Sequence, residues 1–534
     1  MRRLAALIPL VLAGCATAPG AATSAAPSSA PKPAPTSSPA ASSLASSAVT
    51  ADELRRDLYI FAADSFGGRD AVLPSGVMAA KFLATRAAAI GLEPAGDSGF
   101  YQRVPMSWEM FAPNTRFSVT PPTGAVTELK LGADILPLLT LGPGALTKLA
   151  ADGDLVFGGY GLNDKGVSDN FGGQDLAGKV LVFVNSAPIA DSAKRAAFET
   201  IDAAGPRIGF AFQSRVAAVI VVGAGKFGAQ YTEMAGSLSG GNVTLQGSAG
   251  STDAPRQFPM VFFVKNLPGS PFLPKVAGDM KPQALGKKFS ARVELATRKV
   301  TGYNVVGVVR GRDPSMNKTY VAYGAHLDHI GIQTPVSGDS IANGADDDGS
   351  GSVTLLALAR AYQQMPEKPR RSVLFVWHTG EEKGLLGSSW FTDHPTVPLD
   401  SIVAQLNADM IGRNQPDSLY LIGPIAAPKG QSKVLGAIVD SVNLASASPF
   451  KINREWDSPT HPEHFYDRSD HFNYAKHGVP IVFFTTGDHP DYHKVSDEPA
   501  KIDFAKMAHV GNLMMQTGIA VANRPTRPKP ALVP

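Results

Sequence analysis

Short apolar runs alternate with amphipathic segments from about residue 300 to the end of the chain. The apolar runs lack the polar positions of a half-exposed strand, which predicts strands buried on both faces at 319–324, 372–377, 402–406 and 481–485. Segments with helical spacing lie between or after them, at 350–364, 384–391, 433–442 and 503–521. This alternation predicts an α/β fold with a mostly parallel mixed sheet flanked by helices.

The pattern differs upstream of that region. Two helices are predicted at 52–63 and 77–90, with Gly91 as the C-cap of the second, and a glycine-rich segment, Phe66-Gly67-Gly68-Arg69, lies between them. Further along, glycine pairs separate short β-rich runs, and proline-rich residues follow. We therefore expect an inserted, mostly-β domain at 151–285, after an N-terminal part at 51–150 and before the α/β core at 286–525.

The first residues have the features of an export signal. A basic start and an apolar run at 4–12 precede Leu12-Ala13-Gly14-Cys15, which resembles the bacterial lipobox. The resemblance implies a signal peptide at 1–14 and a lipid on Cys15. Residues 16–50 are rich in Ala, Ser, Pro and Thr, and such a segment buries too little apolar surface to fold. We expect an exported protein, tethered by 15–50 to the bacterial outer membrane and facing the periplasm or the cell surface.

Composition adds limits on size and partners. The 534 residues exceed one ordinary domain, and 44% of them are hydrophobic, enough for two cores. The formal net charge of +3 is spread along the chain without a dense Lys/Arg stripe, which argues against nucleic-acid binding. Cys15 is the only cysteine, so no intramolecular disulfide can form.

Candidate catalytic side chains follow the predicted strands. In chain order they lie in His326-Leu327-Asp328, Glu381-Glu382, Asn407-Ala408-Asp409 and Tyr492-His493, while Asp346-Asp347-Asp348 opens a helix. Parallel strands end at one edge of a sheet, so five loops should converge there.

The residue types at this edge suit a metal centre. Imidazole and carboxylate are zinc ligands, a carboxylate can bridge two metals, and cations offset the repulsion among clustered acids. Each motif alone has an ordinary explanation. The Asp-rich stretch could cap a helix, and it lacks the spacing of a twelve-residue calcium loop. The interpretation therefore depends on the whole set and its order.

Taken together, these segments resemble the co-catalytic two-zinc aminopeptidase family over residues 300–520. The resemblance implies a zinc-exopeptidase fold and two Zn²⁺ per chain, held by His326, Asp347, Glu382, Asp409 and His493. Asp347 would bridge the metals, with His326 and Asp409 on one zinc and Glu382 and His493 on the other.

The resemblance also assigns roles around the metals. Glu381 would be the general base that takes a proton from the zinc-activated water, and Tyr492 would stabilise the oxyanion. Asp328 would orient His326, and the Asp347-Asp348 peptide would be cis. The segment Gly158-Gly159-Tyr160-Gly161 in the inserted domain resembles the protease-associated domain of many members.

Three functions remain open at this point. An aminopeptidase acting on small peptides leads, a glutamate-carboxypeptidase-like enzyme or a dipeptidase is the alternative, and a non-catalytic binding lipoprotein is the rival class. An acidic group in the pocket would favour a free amine, and an arginine would favour a free carboxylate. The sequence does not place Arg413, Arg454 or Arg468 in the pocket.

Several further residues have no firm role in the sequence. No ligand role is assigned to His329, His378, His461, His464, His471 or His489. The segment Asp470-His471 is a candidate lining of the pocket, and the aromatic residues that could shape an apolar pocket are Trp456, Tyr466, Phe472 and Phe484, the last of which we expect in the core.

Overall fold

The structure is a computed structural model. It describes residues 48–138, 148–164, 168–169, 175–229, 231, 234–236, 240–247, 260–276, 278–424, 432–458 and 460–528. The expected signal peptide, Cys15 and nearly all of the tether lie outside the described residues. None of the described helices is both long and apolar enough to cross a bilayer.

Helices and strands are distributed along the whole described chain. The α-helices are Ala51–Phe61, Pro74–Ile90, Ser192–Ala196, Ile201–Gln213, Gly225–Ala229, Gly351–Gln364, Leu386–Asp393, Lys433–Ala445, His471–Lys476 and Phe504–Asn523. Short helical turns lie at Asp64–Arg69, Ala345–Ser350, Leu399–Ser401, Phe465–Asp467 and Pro499–Lys501. The strands are Glu93–Pro94, Tyr101–Phe111, Arg116–Thr120, Thr127–Leu129, Ile135–Leu138, Lys148–Phe157, Asn163–Asp164, Ser168–Asp169, Val180–Val184, Ala218–Gly223, Asn242–Leu245, Met260–Lys265, Gln283–Val309, Tyr320–His326, Ile332–Val336, Asp339–Ile341, Ser372–His378, Ile402–Ala408, Ser418–Ile422, Lys451–Asn453 and Ile481–Thr485.

The chain forms two compact units. One is Met106–Val300, and the other contains residues 48–105 and 301–528 of the described chain. In the first unit the strand Val180–Val184 lies parallel to Ala218–Gly223, which in turn lies parallel to Met260–Lys265. The expected insertion at 151–285 falls within this unit, and its identity as a protease-associated domain remains a prediction.

The second unit is built around a mixed sheet whose centre is parallel. Tyr320–His326 pairs in parallel with Ser372–His378 on one side and Ile402–Ala408 on the other, and Ile481–Thr485 continues the parallel order. Every residue of these four strands is buried, as the apolar runs predicted. Residues 305–309 add an antiparallel neighbour at one side. The predicted α/β class with helices flanking the sheet is confirmed.

Local sequence signals explain the start of this unit. Thr50 and Glu53 form a reciprocal capping box at the first helix, which satisfies amides that the helix leaves unpaired. Gly91 ends the second helix with φ of 90°, as its assignment as a C-cap predicted. Leu54, Leu58 and Phe61 are buried and pack in the core beneath the sheet.

Candidate metal centre

The predicted ligands lie at one end of the parallel strands, where the chain leaves the sheet. His326 is the last residue of its strand, and Asp409 directly follows the strand Ile402–Ala408. Glu382 and His493 come from loops after the other two parallel strands. Asp347 lies in the turn Ala345–Ser350 before a helix, and its peptide bond to the next residue is cis, as the resemblance implied.

The ligand atoms form two groups that share Asp347. Nε2 of His326 lies 3.2 Å from Oδ1 of Asp347 and 3.5 Å from Oδ1 of Asp409. Nε2 of His493 lies 3.2 Å from Oδ2 of Asp347 and 3.1 Å from Oε2 of Glu382. Ligands of one tetrahedral zinc at 2.0–2.2 Å are separated by about 3.3 Å. The two oxygens of Asp347 thus face two sets of atoms that are spaced like zinc ligands.

Buried polar atoms without hydrogen-bond partners also support a zinc site. Nδ1 of His326 lies 3.1 Å from the carbonyl oxygen of Asp328 and donates its proton there, which leaves Nε2 with a free lone pair. Among the described residues, neither Nε2 of His326 nor Oδ1 of Asp409 has a hydrogen-bond partner, although both are buried. Buried polar atoms of this kind are costly unless they are bonded or hold a metal. The residues present therefore fit zinc.

Asp328 contacts His326 through its main chain rather than through its side chain. Its carbonyl oxygen accepts the imidazole proton, while its carboxylate accepts the backbone N–H of Glu381 at 3.2 Å. Burial raises the pKa of Asp328 to about 7. The residue therefore links the loop of His326 to the loop of Glu381, because its main chain and side chain point to different loops.

His329 has a partner that sequence reasoning missed. Its side chain is fully buried, and Nδ1 lies 2.7 Å from Oε1 of Glu382. His329, Asp347 and Glu382 could by proximity hold a cation together. However, 2.7 Å is a hydrogen-bond distance and is shorter than the spacing of two ligands on one zinc. We assign His329 as a donor to Glu382, and its place one residue after Asp328 was the only signal in the sequence.

The two adjacent glutamates have opposite pKa shifts. Burial raises the pKa of Glu381 well above its usual value, and Asp409 adds to this, although His326 opposes it. Burial and Asp347 would also raise the pKa of Glu382, but His493 and His329 outweigh them and lower it to about 2. Glu382 is therefore held as a carboxylate, while Glu381 has a strong tendency to accept a proton.

The converging carboxylates raise the pKa of both predicted histidine ligands. Burial alone would lower the pKa of His493, but Glu382 and Asp347 raise it to about 10. Burial is likewise the largest influence on His326, but Glu381 and Asp409 outweigh it and raise its pKa well above the usual value. Positive charge is thus strongly favoured at both positions, as expected where several carboxylates converge.

A pocket opens onto these groups and is lined by Glu381, Phe465, Arg468, Phe483, Asp488 and Tyr492, among others. Nη2 of Arg468 donates to the hydroxyl of Tyr492 at 3.2 Å, and Nη1 lies 3.7 Å from Oδ2 of Asp488. Oδ1 of Asp488 is buried and has no hydrogen-bond partner among the described residues. The pocket therefore combines an arginine that already has partners with a carboxylate oxygen that has none.

The other arginines considered from the sequence bind elsewhere. Arg413 pairs with Asp491 at 2.7 Å, and Arg454 pairs with Asp440 at 2.7 Å. Neither residue lines the pocket.

The structure places the remaining candidates around the pocket rather than in it. Trp456 stacks on Phe465, with ring centroids 3.7 Å apart, and so supports one pocket wall. The expectation that Asp470-His471 lines the pocket is wrong, because both side chains are fully buried and Asp470 pairs with His378 at 3.2 Å. Phe484 is in the core, as expected.

Comparisons with known proteins agree with this geometry. Residues 304–518 match peptidase family M28. Leucine aminopeptidase 1 of Trichophyton rubrum is 29% identical over 239 residues, which is 43% of this chain and 60% of the relative. A probable leucine aminopeptidase of Trichophyton verrucosum is 33% identical over 215 residues, 39% of this chain and 55% of the relative. The chain thus spans about 60% or less of the length of these curated relatives.

Two solved structures share the fold over most of the chain. An aminopeptidase from Aneurinibacillus sp. strain AM-1 aligns over 92% of this chain and 98% of its own, with a TM-score of 0.54 and 16% identity. A zinc aminopeptidase from Bacillus subtilis aligns over 89% and 96%, with a TM-score of 0.51 and 17% identity. The match of residues 304–518 to peptidase family M28 agrees with the order of the predicted ligands and with their convergence at one sheet edge.

Proposed function

We propose that this protein is a zinc aminopeptidase that removes N-terminal residues from small peptides and holds two zinc ions. The observation that carries the proposal is the arrangement of the five predicted ligands in two groups that share Asp347, beside a pocket in which one carboxylate oxygen has no partner among the described residues. When bound, two zinc ions would lower the pKa of water and polarise the carbonyl of the substrate.

Two side chains of the pocket would act in the reaction. Glu381 would transfer protons, and Tyr492 would stabilise the negative charge of the oxyanion. Glu381 is positioned by its backbone bond to Asp328 and would accept the proton of the attacking water, then deliver it to the leaving amine. The hydroxyl of Tyr492 accepts a hydrogen bond from Arg468, which leaves its own proton free to point toward the developing oxyanion.

The charge of the pocket favours a free amine over a free carboxylate. Arg468 would be the partner of a substrate carboxylate, but its guanidinium already contacts Asp488 and Tyr492. Asp488 has a buried oxygen without a partner, and it would accept an ammonium group. The remaining carboxylate that lines the pocket outside the ligand set is Glu381, and it adds to the same preference.

The test measures the zinc content of the protein and the substrates that it cleaves. Amino-acid amides with a free amine, matched N-acylated peptides and peptides with a free C-terminus would be offered to the wild-type chain and to Asp488→Asn. Two zincs per chain and cleavage only beside a free amine are expected, with a higher KM in the variant. Cleavage only beside a free carboxylate would favour the carboxypeptidase alternative, and zinc without turnover would favour the binding lipoprotein.

We also propose that the protein is exported and anchored by a lipid on Cys15. The support is the sequence from the basic start to Leu12-Ala13-Gly14-Cys15. In the bacterial host, Cys15→Ser should move the protein from the membrane fraction to the soluble fraction without changing its activity. An unchanged membrane fraction would contradict the anchor.

A further inference from the structure

The segment Gly67-Gly68-Arg69-Asp70 lies outside the residues that match the family, yet it contacts the loops that carry predicted ligands. Arg69 is fully buried. Among the described residues, its guanidinium donates hydrogen bonds to backbone carbonyls and is not paired with a carboxylate. A buried guanidinium without a paired anion is uncommon and needs a structural reason.

The guanidinium joins two ligand loops. Nε donates to the carbonyl of Leu327 at 3.0 Å, next to His326. Nη2 donates to the carbonyls of Gly344 at 2.9 Å and Asp347 at 3.3 Å, and Nη1 donates to Asn343. One side chain therefore fixes the main chain beside a terminal ligand and the main chain of the shared ligand.

The backbone of the same segment adds two contacts to the first loop. The N–H of His329 donates to the carbonyl of Arg69 at 3.3 Å, and the N–H of Gly331 donates to the carbonyl of Gly68 at 3.0 Å. Gly68 has φ of 66°, and a Cβ there would lie 2.6 Å from the carbonyl oxygen of Gly331. Only glycine allows this close approach.

The third ligand loop is reached through the next residue. Oδ2 of Asp70 lies 3.1 Å from Nζ of Lys383, which directly follows Glu382. Residues 68–70 therefore contact the loops of His326, Asp347 and Glu382.

Charge explains why the buried position suits an arginine. Burial lowers the pKa of Arg69, and the nearby Asp347, Asp348, Asp328 and Asp497 oppose that shift. A guanidinium has five N–H donors in a rigid plane, whereas a lysine has one compact ammonium group. Lysine could keep the charge and would lose most of the simultaneous carbonyl contacts.

We propose that Arg69 is a positioning residue of the metal centre, which sets the separation of the His326 and Asp347 loops so that their side chains can share a zinc ion. This inference rests on the proposed metal centre. It extends that centre to a segment more than 200 residues before the residues that match the family.

The experiment compares zinc affinity in two lysine variants of the full chain. Arg69→Lys is the test, and Arg371→Lys is the matched control. Arg371 is 3% exposed, burial lowers its pKa, and it also donates to backbone carbonyls, including those of Val521 and Arg524, which are not near the ligands in sequence. Zinc would be titrated against a chromogenic chelator, and the melting temperature of each variant would be measured.

We expect both variants to melt at lower temperature, but only Arg69→Lys to bind zinc more weakly, by about 10–100-fold as for other groups that orient ligands. Equal zinc affinity in Arg69→Lys, Arg371→Lys and the wild type would overturn the role of Arg69. A wild-type chain that binds no zinc would instead contradict the proposed function, and the inference with it.

Lys383→Met provides a second test in case Arg69→Lys does not fold. Lys383→Met leaves the guanidinium in place and removes the contact between Asp70 and the Glu382 loop, and its side chain is only 18% exposed. We expect its zinc affinity to fall by about 10-fold, the lower end of the effects for groups that orient ligands. Unchanged affinity in Lys383→Met, together with an Arg69→Lys chain that does not fold, would overturn the proposal.

Discussion

Glu381 and Glu382 are adjacent in the chain and differ in what faces them. Glu382 lies 3.1 Å from His493 and 2.7 Å from His329, and these two imidazoles hold it as a carboxylate. Glu381 lies 3.8 Å from its nearest imidazole, that of His326, and burial raises its pKa. These two environments suit the proposed tasks of the two residues, ligand binding at 382 and proton transfer at 381.

The first prediction concerns the base. Glu381→Gln removes the proton acceptor but keeps the size of the side chain and the backbone bond to Asp328. We expect zinc content to stay unchanged and kcat to fall by at least about 10²-fold, the scale of general-base loss. Steady-state kinetics and metal analysis of the same sample provide the check, with Glu382→Gln as the neighbour that should lose zinc. Intact activity in Glu381→Gln would mean that the base is another residue.

The second prediction concerns a ligand. His493→Ala removes the imidazole that lies within 3.2 Å of both Asp347 and Glu382, so one zinc site should lose affinity. After dialysis, metal analysis should find about one zinc per chain in place of two. His477→Ala is a suitable control because its side chain has similar exposure, 34% against 38%. Full zinc content in His493→Ala would remove this residue from the ligand set.

At the scale of elements, the last helix packs so closely on the sheet that it requires glycine. A Cβ on Gly518 in the helix Phe504–Asn523 would lie 1.9 Å from the hydroxyl of Tyr323 and 2.6 Å from that of Tyr362. The two hydroxyls lie 2.8 Å apart, and each donates to a backbone carbonyl of this helix. The contact therefore joins a central strand, a neighbouring helix and the last helix.

The third prediction follows from this contact. Alanine normally stabilises a helix by about 1 kcal/mol relative to glycine, but overpacking in a core costs about 1–3 kcal/mol. We expect Gly518→Ala to lower the melting temperature of its unit. Gly209→Ala is the control, since Gly209 also lies in a helix and a Cβ there would meet nothing within 4 Å. A melting temperature for Gly518→Ala at or above that of the wild type would show that the tyrosines move aside.

The parts of the fold that the sequence predicted are those with a continuous local pattern. Residues 373–377 of the strand Ser372–His378 form an unbroken apolar run because both faces of the strand are covered. Ser418–Ile422 and Lys451–Asn453 were missed because they are short and keep partly exposed positions. The helix His471–Lys476 has only six residues, too few for a helical period to be recognised.

The metal centre was predictable to a similar degree. The order and spacing of the ligand motifs were visible in the chain, so the resemblance identified the five predicted ligands that the structure brings together at the sheet edge. The hydrogen bond from His329 to Glu382 and the contacts of Arg69 join residues 53 and up to 278 positions apart. Such pairs depend on tertiary structure and leave no periodic signal in one sequence.

At the scale of the whole molecule, pH should change stability through a histidine that lies away from the predicted ligands. His471 is fully buried, and its Nε2 donates to the carbonyl of Tyr466 at 2.8 Å. Its ring stacks on Phe483 with centroids 4.5 Å apart. Burial lowers its pKa to about 4, although the carbonyl of Tyr466 and the charge of Asp470 oppose the shift. The folded protein therefore keeps this imidazole neutral where the unfolded chain would protonate it.

The sign of the effect follows from proton binding. Between pH 6.5 and pH 4 the unfolded state binds more protons at His471 than the folded state does, so the free energy of unfolding falls as pH falls. The contribution is fully present above pH 6.5 and is lost by about pH 4, and a shift of this size corresponds to about 3 kcal/mol.

His471→Gln cannot titrate, and its amide can still donate to Tyr466. Denaturant unfolding in EDTA at pH 7 and pH 4.5 should therefore show a smaller loss of stability in the variant. An equal loss in both proteins would place the acid sensitivity in other groups, because the predicted ligands are the same in the wild type and the variant.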